Sequence, residues 1–315
     1  MAREQDAGTG GAAGGGGRPS AAPALAVVGA AALFGTTGTA QALGPPGTTP
    51  LGVGAVRLAV GALALAGVVL ARRGPGAPWR RHAPALALGG LAVAAYHVAW
   101  FAGLRRTGVA LGTIVGIGSG PVFAGLIHLA LGRHGVSRPW LAGTALTVIG
   151  VALLAVHGGR GAPPDPVGLL LMASAGLSYA VYAQAAKHAI DGGLDERRAM
   201  AGIFAVGAIA LAPLLVLEPL GWLATARGAA MALHLGALTI GLAYSLYGWG
   251  LRRLPVPTVV TLTLAEPLTA AFLGVALLGE RLGPLGWLGA AVLAAGLLVA
   301  GRGEAPEAAP VPPTS

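Results

Sequence analysis

The chain has 315 residues, 55% of them hydrophobic and only 10% charged, with 54 glycines, no cysteine and a formal net charge of +9. Soluble domains carry about 25% charged residues. This composition, with a mean hydropathy of +0.75, therefore argues against a soluble enzyme, a disordered protein and a disulfide-framed secreted domain.

The predicted elements begin after a low-complexity tail, residues 1–20, which holds nothing to bury and is expected to be disordered. An apolar run from Ala21 to Leu43 is span-length, and further spans follow it, which disfavours a signal peptide. Apolar segments then recur at about 51–71, 84–104, 109–131, 139–157, 167–186, 199–217, 230–250, 256–278 and 284–300. The expected fold class is an all-α polytopic membrane protein of ten transmembrane helices. The chain divides into a first five-helix repeat at 21–157, a linker at 158–166, a second repeat at 167–301 and a tail at 302–315.

Of the 20 cations, 19 are Arg and only Lys187 is Lys. They stand as short pairs between apolar runs, so they read as a topology signal and not as a nucleic-acid footprint. With the N-terminus inside, the inner segments hold 14 cations and the outer ones 5, with Arg57 inside a span. The positive-inside rule then puts both termini in the cytoplasm. The Arg-for-Lys bias beside abundant Ala and Gly fits a GC-rich bacterial genome, so the expected location is a bacterial cytoplasmic membrane, with the bilayer as a partner.

A repeat is visible at an offset of about 146. Gly120-Pro121 aligns with Glu266-Pro267, Gly143 with Gly289 and Gly150 with Gly296, while Leu104-Arg105-Arg106 matches Leu251-Arg252-Arg253 one residue further on. Five spans per unit is an odd number, so the second copy enters the membrane inverted, an arrangement common in secondary transporters.

The segment PTVVTLTLAEPLTAAFLGVALLGERLGPLGWLGAAVLAAGLLVAG, residues 257–301, carries a mid-span Glu266-Pro267, an exit Gly279-Glu280-Arg281 and spaced glycines. LFGTTGTAQAL at 33–43 precedes Arg57 near the start of span 2. On these features the chain resembles an EamA-type transporter of the drug/metabolite transporter superfamily. The resemblance implies a carrier of small organic metabolites or drug-like solutes, moving them outward by alternating access. The first repeat departs from the second, with Gly120 in the place of Glu266 and Arg133-His134 in the place of Gly279-Glu280. Carboxylate chemistry is therefore not assumed to be two-fold.

Glu266 is the one carboxylate well inside a predicted span, where a charge costs about 2.5–3.5 kcal/mol on insertion scales. At 100° per residue, Thr258, Thr263, Glu266 and Thr269 share one polar arc. That arc reads either as a cavity-lining proton or substrate site or as an interhelical lock. Arg57 is the matching cation, for an anionic substrate group or a carboxylate, with snorkelling to the outer headgroups as the alternative.

Weaker polar stripes are Thr37 with Gln41; His97 and Trp100 beside Tyr96; Ser174, Ser178 and Tyr182; and Tyr244 with Tyr247. Each reads as a substrate path or as interhelical glue. The Gly112, Gly116 and Gly120 ladder is explained by close packing. Asp191, Asp195, Glu196, Arg197 and Arg198 read as a solvated loop face, and Glu280-Arg281 as an interfacial cap.

There is no Walker A motif, no H-E-x-x-H and no G-x-S-x-G in the sequence. No enzyme activity, cofactor or metal is therefore expected. The expected substrate contacts or proton-coupling groups are Glu266, Thr263, Thr269, Arg57, Gln41, His97, Trp100, Tyr182 and Tyr244. An intramembrane enzyme and a non-transporting scaffold are the alternative readings; the oligomeric state is not legible.

Overall fold

The computed structural model describes residues 21–71, 78–133, 136–157 and 165–302. The expected N-terminal tail, positions 158–164 of the linker and positions 303–315 of the C-terminal tail lie outside the described residues. The rest forms helices: α1 Ala22–Ala42, α2 Pro50–Ala71, α3 Trp79–Thr107, α4 Val109–Ala130, α5 Arg138–His157, α6 Pro166–Asp191 and α7 Glu196–Leu211. After two short turns, Leu214–Leu217 and Gly221–Ala224, come α8 Ala226–Leu251, α9 Val256–Leu278 and α10 Pro284–Arg302. Among the described residues there is no strand.

Local chemistry sets the helix ends. Asp165 accepts the Val167 N–H and Pro166 opens α6, while Asp195 accepts the N–H groups of Arg197 and Arg198 to start α7. Gly108 (φ 74°) separates α3 from α4, and Gly279 (φ 70°) ends α9 in the left-handed region that favours glycine.

Among the described residues nine helices are long and apolar enough to cross a membrane. The difference from ten lies at span 7, where α7 is 16 residues long. Pro213 lacks the N–H that would continue the ladder, the Ala212 N–H turns back to the Ile209 carbonyl, and the chain resumes as a separate turn. Large apolar side chains such as Leu70 (75% exposed) and Val216 (87%) stand on the outer surface. Water would penalise that surface; lipid does not.

The main helix interfaces follow one exchange rule. α3 packs on α6 as α8 packs on α1; α4 on α6 as α9 on α1; α2 on α8 as α7 on α3; α5·α10 and α2·α7 pair across the halves. Adding or subtracting five from each helix number converts this set of interfaces into itself. The core runs through these crossings, with Leu58, Leu65, Ile203, Phe204, Ile240 and Val260 buried.

Two helices of the second half are irregular. α8 is α-helical at its ends and a π-helix from His234 to Leu242, and α9 passes through a 3-10 turn at Thr263–Ala265. Pro267 explains the second irregularity. It has no N–H for the Thr263 carbonyl, which accepts the Glu266 N–H instead, a tighter bond. The regular polar arc expected for α9 is thereby corrected. Thr258 and Thr263 are buried between helices, and Thr269 lies against α1, where a Cβ on Gly35 would stand 2.6 Å from it.

Candidate functional site

A cavity with about 70 Å³ of space into which a water can move lies between the halves, lined by Phe34, Arg57, Tyr96, His97, Tyr179, Tyr182, Phe204, Ile240, Tyr244 and Glu266. These residues come from α1, α2, α3, α6, α7, α8 and α9. A hole of that size holds several waters.

Tyrosines dominate its wall. The chain has five, and all five meet here. Tyr179 and Tyr182 meet at 5.0 Å with their rings tilted, Tyr96 lies 6.4 Å from Tyr179, and Tyr244 lies 6.3 Å from Tyr182 and 5.4 Å from Tyr247. Phe204 and Phe34 close the ring cluster at 4.2 and 5.0 Å from Tyr244. The phenol oxygens of Tyr182 and Tyr244 hydrogen-bond at 2.8 Å. The Thr263 hydroxyl donates to the Val260 carbonyl (2.8 Å), so Tyr179 donates its O–H to Thr263 Oγ1 (2.6 Å).

Two charged side chains enter this aromatic box. Glu266 arrives directly after the 3-10 turn, half-buried at the wall. Arg57 reaches the same cavity from α2 with its Nε buried and unpartnered. The snorkelling alternative is corrected by this placement, since the guanidinium turns inward. Among the described residues, no ion pair joins Arg57 to Glu266, although they share the cavity. An arginine and a carboxylate that share an aromatic cavity without pairing are groups a polar solute can meet. His97 Nδ1 donates to the Val93 carbonyl (2.8 Å), which in a neutral ring leaves Nε2 as an acceptor.

Of the nine expected site residues, Glu266, Arg57, His97, Tyr182 and Tyr244 line the cavity. Thr263 stands one hydrogen bond behind it. Trp100 is also behind, stacked on Tyr96 at 5.7 Å. Thr269 is in the α1–α9 contact, and Gln41 is exposed, bonding its own helix at the Thr37 carbonyl. Neither is brought to the cavity. Sequence reasoning missed Tyr179, Phe34, Phe204 and Ile240. Tyr179 had a signal in its i, i+3 spacing to Tyr182; the other three are apolar residues in apolar helices.

A polytopic helical membrane protein with two pseudo-equivalent halves around a charged aromatic cavity is the class this architecture defines. The chain belongs to the EamA-like transporter family, whose domain is present twice, at residues 22–156 and 166–302. It is 38% identical over 276 residues to the uncharacterized transporter YwfM of Bacillus subtilis, covering 87% of this chain and 92% of that one. It is also 33% identical over 235 residues to the uncharacterized protein PA1977 of Pseudomonas aeruginosa, covering 73% and 76%. A solved crystal structure at 22% identity superposes with a TM-score of 0.76 over 90% of this chain and 99% of that chain, a likeness of fold.

Proposed function

We propose that this transporter is a secondary carrier that exports small amphipathic organic solutes across the cytoplasmic membrane, with the two halves as inverted repeats rocking about the cavity. The supporting observation is the Glu266 carboxylate, placed mid-helix and lining an aromatic cavity that it shares with an unpartnered Arg57 Nε. In this reading Glu266 carries the coupled proton or contacts a polar group of the solute. Arg57 receives an anionic group, and the tyrosine and phenylalanine rings cover the apolar body. The interface exchange rule and the five-helix units support the inverted arrangement, and the 14-to-5 distribution of cations supports cytoplasmic termini.

Reconstitution into proteoliposomes, with counterflow of a panel of amines, amino acids and common drugs with and without a pH gradient, tests this. Transport of at least one class is expected, and Glu266→Gln is expected to abolish it or its pH dependence. Absence of counterflow from folded, oriented protein overturns the carrier reading. Unchanged transport and pH dependence in Glu266→Gln overturns the role of Glu266.

A further inference from the structure

The residues around Lys187, read from sequence as a solvated face, are in part buried. The Lys187 side chain is 3% exposed and that of Glu196 5%. Lys187 Nζ pairs with Asp191 Oδ1 (3.3 Å) within α6, and Asp191 Oδ2 takes the guanidinium of Arg133 (3.0 Å) from the end of α4. Lys187 also donates to the backbone carbonyl of Arg252 (3.5 Å) at the end of α8, and the Arg252 side chain pairs with Glu196 (3.1 Å) at the start of α7. Three ion pairs and one hydrogen bond to a backbone carbonyl thus tie α4, α6, α7 and α8 together at one end of the molecule.

Its position gives it a consequence for the cavity. Tyr182, Phe204 and Tyr244 bring α6, α7 and α8 to the cavity wall. Lys187, Glu196 and Arg252 lie on the same three helices, five, eight and eight residues away. At 1.5 Å per residue that is about 8 to 12 Å along each axis, all toward the same end. Drawing these helices apart there is the movement that would open the cavity to that side, and it requires the links to break. The opposite end is held differently. There Thr49 of the α1–α2 connection donates to the carboxylate of Glu218 in the α7–α8 connection, and a more exposed Arg106–Asp165 pair joins α3 to α6.

We propose that the Arg133–Asp191–Lys187–Arg252–Glu196 network is a latch that closes the cavity at the Lys187 end. A carrier must release a latch of this kind once per cycle, so the inference rests on the carrier reading. A partly buried ion pair is weak evidence for stability, and a registry or switching role is its best-attested use.

The absence of native cysteine permits a direct test. Ile240→Cys places one thiol at the cavity, which is too small to admit a maleimide unless it opens. A membrane-impermeant charged maleimide is applied to intact cells and to inside-out vesicles. Arg81→Cys, exposed at the same end through the contact of His82 with Gly192, identifies the Lys187 side. Adding Glu196→Gln is expected to raise labelling of Ile240→Cys from that side by about fivefold or more, the lower range of coupling between sites, with no rise from the other. The charge exchange Glu196→Arg with Arg252→Glu is expected to restore slow labelling. If Glu196→Gln fails to fold, Arg252→Gln, whose side chain is 56% exposed, removes the same bond.

Unchanged labelling, or an equal rise from both sides, overturns the latch. Labelling is read without transport. A chain that gates but moves no solute sinks the carrier reading alone, and one that transports with unaltered labelling sinks the latch alone.

Discussion

Gly296 of α10 packs directly on Gly143 of α5: a Cβ on Gly296 would stand 2.8 Å from the Gly143 carbonyl oxygen. Gly289 meets Gly150 in the same way at 3.0 Å. Since Gly143 aligns with Gly289 and Gly150 with Gly296, exchanging the repeats converts one of these contacts into the other, the signature of a two-fold contact. Backbones approach this closely only where side chains are absent.

Gly150→Ala is therefore expected to destabilise. Its Cβ would lie 2.5 Å from the Leu293 nitrogen, a backbone atom that cannot swing aside. Overpacking of this kind costs about 1–3 kcal/mol. Gly67→Ala, on α2 with nothing within 4 Å, is the control and is expected to be neutral or slightly stabilising. Thermal melting in detergent checks both; equal melting temperatures for the two variants would remove the close-contact argument.

Much of the fold was legible because a span-length apolar run admits few solutions in lipid. The π-helix in α8 was not. It lies where Gly236 and Gly241 press on Val60 and Ala64 of α2, and an insertion accommodated by a neighbouring helix leaves no local pattern. The site was legible in its charges, since Arg57 and Glu266 have no loop to explain them. Its apolar wall was silent, because Phe34, Phe204 and Ile240 have the same composition as lipid-facing positions. Gln41 misled for the opposite reason: a polar side chain near a helix end can satisfy itself on its own backbone.

Tyr179 of α6 and Thr263 of α9 join two helices of the second repeat beside the 3-10 turn that presents Glu266. Tyr179→Phe keeps the ring and removes the bond, so a loss of about 1 kcal/mol is expected. Thr263→Val is expected to cost a similar amount. The double variant should cost less than the sum, because either change alone already breaks the pair. Additive losses in melting experiments would show that the two hydroxyls are not coupled.

Asp165 gives a pH signature outside the membrane. The Arg106 guanidinium and the N–H groups of Val167 and Gly168 hold its carboxyl below the ordinary carboxylate range. A carboxyl depressed in the native state stabilises the fold above its unfolded value, and that contribution fades as the pH falls through the native one. Asp165→Asn keeps a capping oxygen and removes the charge. It is expected to melt below the parent at pH 7 and level with it in strong acid. A gap that is constant across pH would assign the effect to the cap alone.

Arg57 separates function from stability. Its buried Nε has no partner, so the protein carries an unsatisfied polar group at the cavity, a cost that persists where a ligand is to be met. Arg57→Gln removes the charge and shortens the side chain. The melting temperature of the empty protein is expected to hold or rise. The apparent affinity for solutes bearing a carboxylate is expected to fall tenfold or more, as the loss of a charge-assisted bond of about 1.5–3 kcal/mol requires. Solutes without an anionic group should lose much less, because their contacts fall to the rings and to Glu266. Competition binding across matched pairs, such as an amino acid and its decarboxylated amine, reads this difference. A large drop in melting temperature with equal affinity losses for both members of each pair would make Arg57 a structural residue instead.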